Sequence, residues 1–91
     1  MYVGNIDAPG IDLSFSALAI DVQDSATVST RDIGSATDPL TAASVGDSGD
    51  ISFYSPYQDI DGDVLANVGD GDTTNTAGDI SIEAILSLIH I

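Results

Sequence analysis

Apolar and small polar residues alternate along the first third of the chain. The apolar series comprises Leu13, Phe15, Leu18, Ile20, Val22, Ala26 and Val28. A period of two is the pattern of a β-strand with one buried face. The phase of the alternation slips at residues 16–17 and again at residues 24–25, as expected where a chain turns a corner. The pattern therefore predicts three short strands over residues 12–30, separated by two tight bends.

A five-residue motif recurs along the sequence. Residues 49–53 read GDISF, residues 78–82 read GDISI, and residues 10–15, GIDLSF, resemble a third copy with one inserted residue. Gly-Asp before a β-branched residue is common in turns, so a single copy would mean little. Three copies followed by matching apolar positions indicate a structural repeat.

The first two copies superimpose at a shift of 38 positions, which places Leu13 on Ile51 and Phe15 on Phe53. The same shift places other apolar positions together: Val22 on Ile60, Ala26 on Val64 and Val28 on Ala66. Pro56 and Gly62 fall at the two predicted corners, where a fixed φ and a missing side chain favour a turn. Ile20 on Gln58 is the clear mismatch.

Repeats of this kind stack as the coils of a β-solenoid, in which each coil is buried by its neighbours. We therefore predict an all-β parallel β-helix fragment of two to three coils, as one segment over residues 1–85. The coils are predicted at about 10–31, 49–68 and 79–85, with loops at 32–48 and 69–78. Ser14, Ser52 and Ser81 should then form a polar row on the outer face. The alternative fold is an antiparallel β-sandwich in which GDIS reflects turn chemistry alone.

The repeats resemble those of large bacterial surface proteins, the filamentous-hemagglutinin-like adhesins and related β-helix exoproteins. The resemblance extends nearly to Ile85 and is carried by four segments: AIDVQDSATVSTRDI, GDSGDISFYS, GDVLANV and NTAGDISIEA. It implies a right-handed parallel β-helix at the cell surface or secreted, serving as a stalk or an adhesive surface. The partners it implies are neighbouring repeats of a longer chain and a host-surface or extracellular-matrix ligand. It transfers no catalytic residue.

Two observations lead us to expect that the chain is a segment of a longer protein. Solenoids normally end in atypical capping repeats with polar outer faces, and the sequence displays none. Residues 86–91, LSLIHI, match the translation of CTG TCT CTT ATA CAC ATC, a transposon end used to prepare sequencing libraries. We interpret these residues as adapter read-through. An ordinary apolar strand or helix end is the alternative.

The charge of the chain restricts its partners. Fifteen acidic residues face a single basic residue, Arg31, and the formal net charge is −14. Binding to nucleic acid or to an anionic membrane surface requires Lys and Arg, so neither is expected. Residues 1–91 carry no apolar stretch long enough to span a bilayer and no cysteine. Arg31 is predicted to be an exposed charge at the end of the third strand.

The inventory of reactive groups argues against an enzyme. A Ser-His-Asp triad would require His90, which lies in the suspected adapter segment. Carboxylates are plentiful, but a glycosidase also needs aromatic walls around a sugar. Tyr54 and Tyr57 flank Pro56 and could contact a carbohydrate, although covering the bend is the commoner role. We therefore expect a non-catalytic structural or adhesive segment.

One acidic stretch predicts a metal site. Asp59, Asp61 and Asp63 occupy positions 1, 3 and 5 of a calcium-loop pattern, and Asn67 and Asp70 occupy positions 9 and 12. Position 6 is Val64, where the EF-hand pattern requires Gly, so a solvated acidic corner is the alternative. The second functional hypothesis is accordingly a small acidic module that binds calcium or mimics a polyanion.

Overall fold

The chain winds through three successive coils of three short strands. The computed structural model describes residues 1–38, 40–69 and 72–83. Within these residues the first coil contains β1 (Tyr2–Val3), β2 (Ile6–Asp7) and β3 (Leu13–Ser16). The second contains β4 (Ala19–Val22), β5 (Thr27–Ser29) and β6 (Ile51–Tyr54), and the third contains β7 (Tyr57–Ile60), β8 (Asp63–Leu65) and β9 (Ile80–Glu83).

Each strand pairs with the corresponding strand of the next coil, and every pairing is parallel. The three sheets, here called A, B and C, have the strand orders β1-β4-β7, β2-β5-β8 and β3-β6-β9. Sequentially adjacent strands thus lie in different sheets. This is the topology of a parallel β-helix fragment, and it excludes the antiparallel sandwich. The strands β1, β2 and β3 form one end of the stack, and β7, β8 and β9 form the other.

Sheet C contains the three copies of the GDIS motif in register. Leu13 pairs with Ile51, and Ile51 pairs with Ile80. The serines of the motif also pair in sequence, Ser14 with Ser52 and Ser52 with Ser81. The predicted row of serines on this sheet is therefore confirmed. Each copy of the motif pairs in register with the copy in the next coil.

The predicted shift of 38 positions holds in sheet A but is wrong in sheet B. Val22 pairs with Ile60 as predicted, whereas Val28 pairs with Val64, a shift of 36 positions. The corner before β8 is shorter than the corner before β5, and Gly62 makes this possible. A side chain at Gly62 would lie 2.5 Å from the carbonyl oxygen of Ala26. Because the change is an even number of residues, the inward-facing positions remain apolar.

The repeat did not predict strands within residues 1–9, but the structure adds two there, β1 and β2, which complete a coil with β3. Val3 pairs with Val22 in sheet A, and Ile6 pairs with Val28 in sheet B. The two strands are only two residues long, so their alternation is too short to detect in the sequence. The described residues thus form three coils.

Inward-facing side chains of all three sheets form one apolar core. Its buried members are Val3, Ile20, Val22, Ala26, Val28, Ile51, Phe53 and Ala66. The ring of Phe53 stacks on that of Phe15 in the preceding coil, with centroids 5.0 Å apart and planes 12° apart. The apolar series predicted from the alternation therefore lies inside the β-helix except for Leu18, which is 83% exposed at the bend before β4.

Arg31 is buried, with 3% of its surface exposed, so the predicted exposed position is wrong. Its guanidinium Nη2 donates to the carbonyl oxygen of Ala42 at 2.8 Å and to Ser44 Oγ at 3.2 Å. Both acceptors belong to the long connection between β5 and β6. This connection folds back over the end of β5, and Arg31 becomes buried by anchoring it.

Candidate functional site

Three carboxylates converge on the outer side of sheet A. Asp21 of β4 pairs with Asp59 of β7, so both side chains leave the sheet on the same side. Asp61 follows β7, and its backbone N–H donates to the carbonyl oxygen of Val22 at 3.0 Å. Carboxylate oxygens of Asp21, Asp59 and Asp61 lie within 4.8 Å of one another. We call these residues the acidic cluster.

Mutual repulsion defines the electrostatics of the acidic cluster. The pKa of Asp61 is raised above its ordinary value of 3.8, chiefly by the charge of Asp59 and by a side-chain hydrogen bond with it. Asp24 and Asp21 contribute smaller effects of the same sign. Such close carboxylates disfavour full ionisation of the group. A cation or a shared proton would relieve this repulsion.

The predicted calcium ligands are only partly brought together. Asp59 and Asp61 lie in the acidic cluster, whereas Asp63 begins β8 beyond the corner at Gly62. Asn67 follows β8, and its backbone carbonyl oxygen accepts a hydrogen bond from Ser48 Oγ. Asp70 lies outside the described residues. Residues 59–67 thus contain parts of two strands instead of one continuous ligand loop.

Sequence reasoning missed Asp21 as a member of the acidic cluster, although the signal was present. The same shift of 38 positions that aligns Val22 with Ile60 also aligns Asp21 with Asp59. Calcium binds six to eight oxygen atoms, and carboxylates are suitable ligands. Stacked aspartates on a solvated sheet produce the same arrangement without a metal. Calcium binding therefore stays a prediction, now for Asp21, Asp59 and Asp61.

A shallow groove adjoins the acidic cluster on the outer face of sheet A. It has a volume of about 540 Å³, and Tyr2 and Tyr57 lie among its lining residues. On the middle strand Ala19 pairs with Tyr57 and Asp21 pairs with Tyr2, and both of these residues also line the groove. Tyr57 is 71% exposed, so its ring is available for contact. We call this the tyrosine groove. Tyr54, on the other side of Pro56, does not line it.

Aspartates also link the coils where the chain enters sheet C. The N–H of Asp50 donates to Asp12 Oδ1 at 2.7 Å, and the N–H of Asp79 donates to Asp50 Oδ1 at 2.8 Å. We call Asp12, Asp50 and Asp79 the aspartate ladder. Asn5 makes the equivalent bond in sheet B, where its Oδ1 accepts from the N–H of Thr27 at 2.9 Å. The side chains of Asp12, Asp50 and Asn5 thus each cap a backbone donor of the following coil.

The glycines that precede Asp50 and Asp79 permit this close stacking. A side chain at Gly49 would overlap the carbonyl group of Ile11, and a side chain at Gly78 would overlap the carbonyl group of Gly49. The residues of GDIS therefore have separate roles. Glycine allows the backbones to approach, aspartate bonds to the next coil, isoleucine enters the core and serine faces outward.

A polar turn at Asp72 lies in the connection between β8 and β9. Asp72 Oδ1 accepts hydrogen bonds from the N–H groups of Thr74 and Asn75, and Asp72 Oδ2 accepts one from Asn75 Nδ2 at 2.8 Å. These donors favour the charged carboxylate and lower the pKa of Asp72 to about 2, with the side chain of Asn75 as the largest cause. This turn orders the connection internally.

Comparisons with protein-family models, curated proteins and solved structures found no match. The part of the chain that the structure describes contains no helix long and apolar enough to cross a membrane. His90, on which a catalytic triad would depend, and the suspected adapter segment 86–91 lie outside the described residues.

Proposed function

We propose that this chain is a non-catalytic structural segment of a β-solenoid, whose role is to extend the stack and present an acidic outer surface. The observation that supports the proposal is the aspartate ladder. Asp12, Asp50 and Asp79 make the same side-chain-to-backbone contact from coil to coil. A contact that repeats in this way suits a structure built by adding coils.

The setting of this segment is proposed from its resemblance to filamentous-hemagglutinin-like repeats. A secreted or cell-surface protein would use the stacked core for length and the many outward carboxylates for solubility. The net charge of −14 is compatible with such a surface and unfavourable for contact with nucleic acid.

The structural role can be tested by joining two copies of the chain in tandem. The stability of a repeat array is the sum of unit terms and interface terms, so the tandem protein should unfold at a higher urea concentration than the single chain. A tandem protein with Ile82→Asp in its first copy is the control, because it places a charge at the junction between the copies. Equal urea midpoints for the single chain and both tandem proteins would refute an extendable stack.

The tyrosine groove is the surface we propose for adhesive contact, because it combines the exposed ring of Tyr57 with the carboxylates beside it. Binding of the labelled chain to epithelial cells should fall on Tyr57→Ser. Leu18→Ser is the matched control, because Leu18 is 83% exposed and does not line the groove. Equal binding by both variants would contradict an adhesive role for the groove.

A further inference from the structure

The tyrosine groove and the acidic cluster share the outer side of sheet A. Asp21 of β4 pairs with Asp59 of β7. Two residues earlier on the same strands, Ala19 pairs with Tyr57. Positions two residues apart on a strand face the same way, so all four side chains leave the sheet together. They point at right angles to the direction in which the coils stack, so this surface belongs to the face of the sheet and not to the ends of the stack.

Each of these two carboxylates has an exposed tyrosine as a neighbour. Residues that face the same way on one strand are about 6.6 Å apart, and neighbouring strands are about 4.8 Å apart. Tyr57 therefore stands beside Asp59 along β7 and lies diagonal to Asp21 on β4. The partner of Asp21 in β1 is Tyr2, which also lines the groove and is 79% exposed. The groove thus combines aromatic rings with carboxylates within the span of one long side chain.

The charged side chains that line the groove are all acidic. Carboxylate oxygens of the acidic cluster lie within 4.8 Å of one another. Arg31, the single Lys or Arg of the sequence, is buried and bonds to the connection between β5 and β6. The amino group of Met1 borders the groove and donates to the carbonyl oxygen of Ala19 at 2.9 Å. A cationic ligand is therefore complementary to the groove, because an anion would be repelled and a neutral molecule would leave the repulsion among the carboxylates in place.

A guanidinium group suits this combination of rings and carboxylates better than an ammonium group. It is planar, so it stacks on the face of a tyrosine ring while its N–H groups point outward to hydrogen-bond acceptors. Its fixed fork matches a carboxylate with two parallel hydrogen bonds. It is also more weakly hydrated than an ammonium group, so it loses less on leaving water. The groove therefore favours arginine over lysine.

We propose that the tyrosine groove binds an arginine side chain of a basic polypeptide, with the guanidinium against the ring of Tyr57 and its N–H groups donating to the carboxylates of Asp21 and Asp59. The inference rests on the proposed function, because it names the ligand of the groove proposed for adhesive contact. A groove on the face of a sheet admits a side chain while the backbone that carries it stays outside. The net charge of −14 attracts a basic chain from a distance and guides it to this face.

Titration with short peptides tests the chemistry of the ligand. The probe is an acetylated and amidated Gly-Ser peptide with arginine at alternate positions, and matched peptides carry lysine or uncharged citrulline instead. Amide NMR of the full chain, in about 0.15 M NaCl with a chelator of divalent cations, reports both the affinity and the place of binding. We expect the arginine peptide to bind about threefold more tightly than the lysine peptide, and the citrulline peptide not to bind. Equal affinity for the arginine and lysine peptides would overturn the proposal.

Two matched pairs of variants test the place of binding. Asp59→Asn should weaken binding of the arginine peptide about fivefold, whereas Asp63→Asn removes the same charge outside the acidic cluster and should weaken it by no more than about twofold. Tyr57→Leu keeps an apolar side chain without the ring and should weaken binding about threefold. Tyr54→Leu removes a tyrosine that does not line the groove and should leave binding unchanged. Equal losses within either pair would overturn the proposal, because they would indicate attraction to net charge or to apolar surface in general.

The result is separable from that of the proposed function. Excess arginine peptide should displace the labelled chain from epithelial cells, and the citrulline peptide should not. If Tyr57→Ser lowers cell binding while no arginine peptide binds the wild-type chain, the groove keeps its adhesive role and this inference fails. Shifts of the groove resonances by a neutral oligosaccharide, chitotetraose, but not by the arginine peptide would overturn the proposal in favour of a carbohydrate ligand.

Discussion

Asp50 Oδ1 accepts a hydrogen bond of 2.8 Å from the backbone N–H of Asp79, which lies in the next coil. The N–H of Asp50 makes the same contact with Asp12 Oδ1 in the preceding coil. The side chain of one aspartate and the backbone of the next therefore connect three coils. This arrangement gives the aspartate of the motif a physical role besides solubility, since it caps a donor at the entry to β6 and to β9.

Replacing the middle carboxylate separates its hydrogen bond from its charge. Asp50→Ala should lower the free energy of unfolding by about 0.5–1 kcal/mol, because the N–H of Asp79 loses a partner at a site that water can reach. Asp50→Asn retains a carbonyl acceptor and removes one negative charge, so its stability should equal or exceed that of the wild type. Urea unfolding with a fixed m-value measures both. Equal losses in the two variants would show that the charge, not the hydrogen bond, is the stabilising feature.

The glycine of the motif should tolerate substitution even less than the aspartate. Gly49→Ala places a methyl group against the carbonyl of Ile11, so the two coils must separate locally, at a cost of about 2–3 kcal/mol. Gly4→Ala is the control, because no atom lies within 4 Å of its added methyl group. Its free energy of unfolding should change by no more than about 0.5 kcal/mol. Thermal and urea unfolding check this prediction, which fails if the two alanine variants are equally stable.

The stacked phenylalanines should contribute unequally to stability. Phe53 is fully buried between its neighbours, and Phe15 lies half-buried in the first coil. Phe53→Ala should therefore lower the free energy of unfolding by about 3–5 kcal/mol, which is a large fraction of the total stability of a chain of this size. Phe15→Ala should cost about 1–2 kcal/mol, and Tyr57→Ala, on the solvated face, no more than about 0.5 kcal/mol. Near-equal losses for Phe15 and Phe53 in urea unfolding would contradict this burial order.

The repeat of sheet C could be predicted from sequence because its geometry is fixed by four residues within a stretch of five. Gly49 and Asp50 set the approach and the capping bond, and Ile51 and Phe53 fill the core. No such constraint acts on the connection between sheets A and B. There a two-residue difference at the corner moved Val28, instead of Ala26, opposite Val64. Alternation alone cannot detect this change, since an even shift preserves the inward face.

The position of Arg31 could not be predicted because it depends on a connection that has no repeat pattern. A lone cation at the end of a strand in an acidic chain suggests an exposed ion pair. Arg31 is buried, and one of its contacts is a hydrogen bond from the guanidinium to the carbonyl oxygen of Ala42, eleven residues away in sequence. Asp21 differs from Arg31 in this respect. Its place beside Asp59 follows from the repeat alignment, whereas the linear calcium pattern considered only residues after Asp59.

The acidic cluster should make the chain more stable at lower pH. Because the pKa of Asp61 is raised in the folded state, the folded chain binds this proton more tightly than the unfolded chain. This contribution to stability is present below the ordinary value of 3.8 and is lost as the pH rises through the higher folded pKa. Asp59→Asn removes the largest cause, so the pKa of Asp61 should fall and Tm at pH about 7 should rise. Carboxyl NMR titration and thermal unfolding measure the two effects.

Calcium distinguishes the two explanations of the acidic cluster. If Asp21, Asp59 and Asp61 bind the ion, millimolar CaCl2 should raise Tm of the wild type well above its value in equally ionic NaCl, and Asp59→Asn should abolish the difference. If the cluster is a stacked row of solvated aspartates, both salts should raise Tm equally. Asp63→Asn is the matched control, because Asp63 follows the corner and does not join the converging carboxylates.

The turn at Asp72 should show the opposite pH dependence. Its pKa is about 2 in the folded chain because hydrogen bonds from Asn75 and Thr74 favour the carboxylate. The stabilisation is therefore present above the ordinary pKa of 3.8 and is lost as the pH falls through about 2. Asn75→Ala removes the largest cause and should raise the pKa of Asp72, as followed by its carboxyl carbon resonance. Thr73→Ala is the control, since the Thr73 side chain makes no hydrogen bond to Asp72 among the described residues. If Asp72 has the same pKa in Asn75→Ala and in Thr73→Ala, the backbone N–H donors alone lower that pKa.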